Sequence, residues 1–307
     1  MAANTNLHKA KNAKNDEFYT QLTDVAKELM HYKHHFKDKV VFCNCDDPTW
    51  SAFWKYFHLN FEALGLKKLI STHYDKTEPT YKMEYTGGDD NDIEVGVKTP
   101  LEGNGDFRNQ ECLDLLDEAD IVVTNPPFSL FREYVACLME HKKKFVIIGN
   151  KNAVEYSEVF APMKANNLWM GYCSPSVFDT PEGLSKKVQG LCRWFTNLDI
   201  SKRYEKLVLW KTYNQNDYPK YDYIDAIEVG KVAEIPMDYD GIMGVPLTFM
   251  DYYNPDQFEI IDCTNGRYAI LDVLDVNSYL VKNHKRICSL DEQPKYARLL
   301  IRKKAGV

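Results

Sequence analysis

The chain has 307 residues, of which 44% are hydrophobic, and it carries a net charge of −7. This length allows one large domain or two smaller ones. No apolar run approaches the roughly 20 residues that a membrane-spanning helix needs, and the basic residues 1–14 lack the apolar stretch of a secretory signal. We therefore expect a soluble cytoplasmic protein without membrane contact, with its eight cysteines reduced and no metal bound.

Short apolar runs alternate with amphipathic segments over the first two-thirds of the chain. The pattern predicts an α/β fold in which helices cover both faces of a mostly parallel sheet. In chain order we predict a helix at 22–36, a strand at 39–43, a helix at 49–64, a strand at 68–71, a hairpin at 81–98, a helix at 109–118, a strand at 121–123, a helix at 130–141 and a strand at 145–148.

The composition changes after about residue 200, where tyrosines, prolines and acidic residues become more frequent. The predicted strands there are short, at 207–210, 258–261 and 299–302. We therefore predict a first domain over residues 1–200 and a second, smaller region over residues 201–307.

The basic residues are clustered, although the chain as a whole is acidic. Residues 182–211 contain seven Lys or Arg against three acids, and residues 281–307 contain eight against two. Residues 212–262 between them contain eleven acids and two lysines. Phosphate binding requires Lys and Arg on one face rather than a basic chain, so stretches 186–206 and 295–304 are candidate phosphate contacts.

The segment Asn125-Pro126-Pro127-Phe128 is the strongest chemical signal in the sequence. It follows a predicted buried strand and precedes a helix, and its prolines fix the backbone and remove two N–H donors. The loop therefore presents acceptors, the Asn125 side-chain oxygen and the Pro126 carbonyl, which suit a substrate amino group. Phe128 is placed to stack on an aromatic substrate.

Further polar segments follow other predicted strands. Asp46-Asp47-Pro48 comes after the first strand and His73-Tyr74-Asp75 after the second. In open α/β sheets, ligands bind beyond the carboxyl ends of the strands. These segments and the Asn125–Phe128 loop are therefore predicted to meet at one edge of the sheet.

The chain resembles the EcoRI-type adenine-specific DNA methyltransferases over most of its length. The Asn-Pro-Pro-Phe loop resembles motif IV of amino-methyltransferases. The resemblance to the family also rests on several other unusual sequence segments. They are Lys9-Ala10-Lys11, Asp16-Glu17-Phe18-Tyr19-Thr20-Gln21, Val40-Val41-Phe42-Cys43-Asn44-Cys45-Asp46-Asp47-Pro48, Gly190-Leu191-Cys192-Arg193-Trp194-Phe195 and Gly244-Val245-Pro246-Leu247-Thr248-Phe249.

The resemblance implies a Rossmann-like class I methyltransferase sheet that binds S-adenosyl-L-methionine, with a C-terminal target-recognition region. It implies catalysis by Asn125, Pro126, Pro127 and Phe128. The implied cofactor-binding residues are Phe18, Tyr19, Thr20, Asp46, Asp47, Pro48, Asp75, Asp106, Phe107 and Asn125. The glycines that normally follow the first strand are replaced by Thr49-Trp50-Ser51-Ala52, and whether Asp46 or Asp47 faces the cofactor stays open.

The resemblance also implies site-specific methylation of adenine N6 in double-stranded DNA, within a restriction-modification system. The target base must leave the helix to reach the cofactor, a step called base flipping, and Phe128 with Trp194 or Phe195 would support it. Trp194 and Phe195 alternate on a predicted strand, so we expect only one of them to touch the base. We expect a monomer that does not bind its cognate restriction endonuclease, if one exists.

Two other functions fit parts of the sequence. Similar Asn-Pro-Pro-aromatic loops occur in methyltransferases that modify RNA or protein glutamine, so the acceptor could differ. A DNA-binding module without catalysis is the second alternative, and the missing glycines after Asp47 favour it.

Overall fold

The computed structural model describes residues 19–75, 78–175, 177–179, 185–187, 190–263 and 287–306. The predicted cofactor residue Phe18 and the side chain of Tyr19 lie outside the described residues. The helices are α1 (Leu22–Leu29), α2 (Ala52–Leu59), α3 (Phe61–Leu64), α4 (Gln110–Glu118), α5 (Phe131–Glu140) and α6 (Ser157–Lys164). Short 3-10 helices occupy Met30–His35, Phe128–Leu130, Lys151–Glu155, Ser201–Tyr204, Val232–Glu234 and Leu247–Asp251.

The strands are β1 (Tyr19–Thr20), β2 (Val40–Cys43), β3 (Lys68–Thr72), β4 (Tyr81–Tyr85), β5 (Val97–Pro100), β6 (Ile121–Thr124), β7 (Lys144–Asn150), β8 (Trp169–Met170), β9 (Val177–Asp179), β10 (Ser185–Lys187), β11 (Cys192–Thr196), β12 (Ala226–Glu228), β13 (Ile242–Pro246), β14 (Phe258–Cys263), β15 (Ser289–Leu290), β16 (Gln293–Pro294) and β17 (Arg298–Lys303).

The largest sheet has eight strands in the order β5-β4-β3-β2-β6-β7-β11-β8. Its central strands β3, β2, β6 and β7 are parallel, whereas β4 pairs with β3 and β11 with β7 in antiparallel fashion. Every residue of β2 and β6 is buried, as expected for strands covered on both faces. The predicted α/β fold with a Rossmann-like sheet is thereby confirmed.

The strand order changes direction between β2 and β6. From β2 the chain passes through α2 to β3 on one side, and it later places β6 on the other side of β2. The crevice beyond the carboxyl ends of two such strands is the usual ligand site of an open α/β sheet. Asp46 and Asn125 follow these two strands directly, so the topology brings the two predicted motifs together.

The chain divides into two compact units. The first contains residues 1–150 and 170–200, and the second contains residues 151–169 and 201–307. The second unit therefore includes a segment, with α6, that precedes the predicted boundary at residue 200. Among the described residues, no helix is both long and apolar enough to cross a membrane.

The second unit is built on a four-stranded sheet in the order β12-β13-β17-β14. Gly244 in β13 lets the Tyr221 ring lie against the sheet, since a Cβ at position 244 would come within 2.8 Å of ring carbons. The Tyr221 hydroxyl donates to Glu228, and Glu228 also pairs with Arg298 at 2.7 Å. Arg298 belongs to the candidate phosphate-binding stretch 295–304, but in the structure its side chain forms this ion pair inside the second unit.

One predicted strand is wrong. Residues 207–210 read as a strand because they are apolar, but they form no ladder in the structure. Buried side chains take the place of a partner strand. Gln257 donates to the Leu207 carbonyl and accepts from the Leu207 N–H, both at 2.7 Å.

Candidate active site

The turn after β2 is held by Asp47 rather than by glycines. The Asp47 carbonyl accepts hydrogen bonds from the N–H groups of Trp50 (3.0 Å) and Ser51 (2.7 Å). Its carboxylate accepts from the N–H of Thr49 at 2.9 Å and from the Thr49 hydroxyl at 2.7 Å. Ser51 then caps α2 by accepting from two N–H groups of the first turn. The glycine-free sequence therefore forms a tight strand-to-helix turn through side-chain capping.

Asp47 also joins this turn to the end of β3. His73 Nδ1 lies 3.1 Å from its carboxylate, and the Tyr81 hydroxyl donates to it at 2.8 Å. Burial raises the pKa of Asp47, but the hydrogen bonds from His73, Thr49 and Tyr81 outweigh it and hold the pKa below its usual range. Asp47 is therefore an ionised structural anchor of the loop.

Asp46, by contrast, faces the Asn-Pro-Pro-Phe loop. Its buried carboxyl group is hydrogen-bonded by the Thr124 hydroxyl, by the backbone N–H of Asn125 and by the Ser51 hydroxyl. Burial raises the pKa of Asp46 to about 7, although these three hydrogen bonds act in the opposite direction. One carboxyl group thus connects the loop after β2 with the loop after β6.

The hydrogen bonds that the Thr124 hydroxyl makes depend on whether Asp46 is protonated. The Thr124 hydroxyl lies within hydrogen-bond distance of both the Asn44 carbonyl and Asp46 Oδ2, but it has one hydrogen to donate. A protonated Asp46 donates to Thr124, and Thr124 then donates to Asn44. Only the protonated carboxyl group can form this chain of donors, because the ionised carboxylate accepts from Thr124 instead.

The loop after β3 is packed against the Gly105-Asp106-Phe107 segment. Gly105 has φ +74°, and a Cβ there would lie 2.3 Å from the His73 carbonyl oxygen. The adjacent Asp75 N–H donates to the Asn104 carbonyl at 3.2 Å. Only glycine permits this approach. The structure therefore brings two predicted cofactor residues, Asp75 and Asp106, into neighbouring segments.

Asp106 and Phe107 are fixed by different neighbours. The Asp106 carboxylate is held by Arg108 at 2.6 Å, whose side-chain hydrogen bonds lower the pKa of Asp106. Phe107 is buried edge-on against Tyr134 of α5, with ring centroids 4.9 Å apart. The buried Tyr134 hydroxyl has no hydrogen-bond partner among the described residues, and after burial the nearby Cys45 and Asp46 raise its pKa further.

The Asn-Pro-Pro-Phe loop begins where β6 ends and leads into the 3-10 helix Phe128–Leu130. Pro126 is buried, whereas Asn125, Pro127 and Phe128 are half-buried. The helix α5 that follows is seated by Phe131, because Gly149 of β7 leaves room for its ring; a Cβ there would lie 2.4 Å from ring carbons. The loop is therefore supported from the sheet side and partly open on the other.

Trp194 and Phe195 of β11 are both fully buried. Trp194 packs edge-on against Phe53 of α2, with ring centroids 5.9 Å apart, and Phe195 packs against Phe131 of α5 at 5.1 Å. The two rings lie on opposite faces of the sheet, as alternation requires. Their contact with a flipped base stays a prediction, and in this structure both serve as packing.

The segment with Thr20 is placed by a buried glutamate. Glu28 of α1 accepts from the Tyr32 hydroxyl (2.7 Å) and from the N–H groups of Tyr172 (2.8 Å) and Cys173 (2.6 Å). The chain that follows forms β9, which pairs with β1. The Thr20 hydroxyl is buried without a hydrogen-bond partner among the described residues.

Comparison with known proteins identifies the family. The family model described as "Adenine-specific methyltransferase EcoRI" matches residues 6–304. The chain belongs to this family. It is 45% identical to the type II methyltransferase M.EcoRI of Escherichia coli over 86% of this chain and 91% of that protein. It is 40% identical to the type II methyltransferase M.MpnI of Mycoplasma pneumoniae over 98% of this chain and 99% of that protein. No solved structure matches the chain.

This membership confirms the predicted family and activity. The protein is an enzyme, a site-specific DNA adenine methyltransferase. The Asn-Pro-Pro-Phe loop lies beside the loop after β2, and its role in catalysis stays a prediction. Sequence reasoning missed the hydroxyl of Thr124, the hydroxyl of Tyr134 and the carboxylate of Glu28. Thr124 directly precedes the loop, and that position was its one signal; the other two roles depend on tertiary contacts.

Proposed function

We propose that this methyltransferase transfers a methyl group from S-adenosyl-L-methionine to N6 of a flipped adenine in double-stranded DNA. The observation that carries the proposal is the bridge made by Asp46, which hydrogen-bonds the Asn125 backbone and the Thr124 hydroxyl. This bridge couples the loop expected to hold the methyl donor to the loop expected to hold the acceptor.

The residues present fit the methyl donor. The loops after β2, β3 and β5 are joined by the contacts of Asp47 with His73 and of Gly105 with His73. In this arrangement Asp75 is proposed to bind the ribose hydroxyls and Asp106 the adenine amino group, with Phe107 packed beside it. The buried Thr20 hydroxyl offers a further donor. The donor, when bound, supplies a methyl group activated by a positively charged sulfur.

The acceptor chemistry follows from the Asn-Pro-Pro-Phe loop. The exocyclic amino group of adenine is a poor nucleophile because its lone pair is delocalised into the ring. The Asn125 side-chain oxygen and the Pro126 carbonyl are proposed to accept its two hydrogens, which draws the nitrogen toward tetrahedral geometry. Phe128 stacks on the base. Catalysis then rests mainly on positioning, since the amino proton becomes acidic only as the methyl is transferred.

The division of labour between the units is also part of this proposal. We assign catalysis to the first unit and target recognition to the second, in a protein that acts as a monomer and does not bind a partner nuclease. The buried Arg298–Glu228 pair leaves Arg302 and Lys304, both exposed, as phosphate contacts within the stretch 295–304.

The test is a methylation assay with isotopically labelled S-adenosyl-L-methionine and three acceptors: duplex DNA, RNA and a glutamine-containing protein. We expect label only in DNA, and N6-methyladenine at one short sequence after enzymatic digestion and sequencing. Label confined to RNA or protein would contradict the proposal. Failure to bind the methyl donor in calorimetry would favour the non-catalytic module instead.

A further inference from the structure

Residues 204–211, which we call the strap, expose large apolar side chains in the second unit. Residues 205–210 form no helix, strand or turn, and exposed and half-buried residues alternate from Lys206 to Trp210. Tyr204, Lys206, Val208 and Trp210 point outward, with Val208 81% and Trp210 64% exposed. Exposure of a valine and an indole side chain next to each other leaves apolar surface in water, so it indicates a contact surface.

The strap is held in place from behind. Gln257, itself buried, binds both backbone groups of Leu207 at 2.7 Å, and Asn254 donates to the Glu205 carbonyl at 3.2 Å. At the far end the Lys211 carbonyl accepts from the Met237 N–H at 2.8 Å. The outward side chains therefore stand on a fixed backbone, which reduces the entropy lost when a partner binds.

Each exposed ring of the strap has a cation beside it. The Arg203 guanidinium lies 5.0 Å from the centre of the Tyr204 ring, and Lys211 Nζ lies 5.3 Å from the centre of the Trp210 ring. Residues 201–211 contain four basic residues, completed by Lys202 and Lys206, and a single acid. Rings interleaved with cations match a partner that carries both flat apolar faces and negative charge, which describes nucleic acid.

We propose that the strap is a DNA-binding element in which Trp210, beside Val208, presses on the base stack as an apolar wedge. Lys206 and Lys211 then contact phosphates on either side, whereas the Arg203 guanidinium stays over the Trp169 ring, 3.9 Å from its centre. The inference rests on the proposed function, in which duplex DNA is the substrate. Residues 204–210 of the strap span at most about 25 Å, which is the rise of about seven base pairs. Protein wedges of this kind unstack a base step and bend the duplex.

The test compares Trp210→Ala and Lys206→Ala with Tyr252→Ala as the control. Tyr252 is 55% exposed in the same unit, but it follows Asp251, and residues 247–257 contain no Lys or Arg. Affinity for a duplex that contains the methylation site is measured by fluorescence anisotropy at several salt concentrations. Calorimetry with S-adenosyl-L-methionine and thermal unfolding of each variant accompany it.

We expect Trp210→Ala to weaken duplex binding about ten-fold and Lys206→Ala to lower the salt slope by about one, with cofactor affinity and melting temperature unchanged. Tyr252→Ala should bind like the wild type. Wild-type binding by both strap variants would overturn the inference while leaving the proposed function intact. So would a wild-type dimer that Trp210→Ala dissociates in sedimentation, since the strap would then be a contact between copies. A wild-type protein that does not methylate DNA would overturn both proposals.

If Trp210→Ala does not fold, Trp210→Phe and Lys206→Glu decide the question. Trp210→Phe keeps a stacking ring and should retain most of the affinity. Lys206→Glu places a negative charge on an exposed position and should weaken binding more than Lys206→Ala. Equal binding by Lys206→Glu and the wild type would overturn the inference.

Discussion

The backbone N–H of Asn125 donates a hydrogen bond to the carboxyl group of Asp46, whose pKa is about 7. The first residue of the Asn-Pro-Pro-Phe loop is thus held by a carboxyl group that follows another strand, and burial raises the pKa of that group to about 7. The loop therefore keeps its geometry only while the buried Asp46 carboxyl group keeps its hydrogen bonds. The coupling has consequences for stability that can be measured.

The first prediction concerns Asp46 and pH. A carboxyl group whose pKa is raised by folding contributes stability that is complete below about pH 4 and is lost as the pH rises to about 7. Asp46→Asn removes this dependence, and its amide can still donate to Thr124 and accept from Asn125. In urea unfolding, the free energy of unfolding of the wild type should therefore fall from pH 5 to pH 8 by on the order of 2–3 kcal/mol more than that of the variant.

Parallel stability curves for the two proteins would contradict this interpretation of Asp46. Asp46→Ala is the companion variant, because it leaves the Asn125 N–H without its acceptor, whereas the Thr124 hydroxyl keeps the Asn44 carbonyl. We expect it to destabilise the protein by about 1–3 kcal/mol at pH 5, and the difference from the wild type should shrink as the pH rises to 8.

The second prediction concerns Gly105. Its φ of +74° and its approach to the His73 carbonyl exclude a side chain. Gly105→Ala should cost about 2–4 kcal/mol and weaken binding of S-adenosyl-L-methionine at least about ten-fold, since it separates the segments with Asp75 and Asp106. Gly190→Ala is the matched control, because Gly190 has φ +66° but no atom of the described residues would lie within 4 Å of an added Cβ. It should cost only about 1 kcal/mol. Equal losses in the two variants would mean that the close approach is unimportant.

The third prediction concerns the buried ion pair of the second unit. Arg298→Leu leaves the Glu228 carboxylate buried without its cation, which should cost about 3–5 kcal/mol in chemical unfolding. Arg302 pairs with Glu259 at 3.9 Å, and both side chains are exposed. Arg302→Leu should therefore cost less than about 1 kcal/mol in the same measurement. If Arg298→Leu instead lowered DNA affinity at unchanged stability, Arg298 would be a phosphate contact after all.

Much of the fold follows from the sequence because its strands are covered on both faces. Runs such as Ile121–Thr124 are wholly apolar except at their ends, and the predicted strand and helix order around them matches the structure. The predicted helix at 49–64 proves shorter, because Ser51 caps it and Asn60 interrupts it. Residues 207–210 were wrongly predicted to form a strand, because their sequence is apolar although side chains, and not a partner strand, hold their backbone.

The site was predictable to the level of loops but not of atoms. Parallel strands bring their carboxyl ends to one edge, so the meeting of Asp46 and Asn125 follows from topology. Sequence could not decide between Asp46 and Asp47, because neighbouring loop residues differ only in the direction they face. Nor could it show that Trp194 and Phe195 are both buried, since burial depends on helices that pack from either side.

The most direct test of the central claim is single-turnover methylation of duplex DNA by Asn125→Ala. We expect a methyl-transfer rate at least about a hundred-fold below that of the wild type, with cofactor affinity in calorimetry changed by less than about three-fold. The control is Asn91→Ala, because Asn91 is exposed in the hairpin between β4 and β5. This variant should transfer the methyl group at the wild-type rate. A near-normal transfer rate in Asn125→Ala would contradict the role of this loop as the catalytic site.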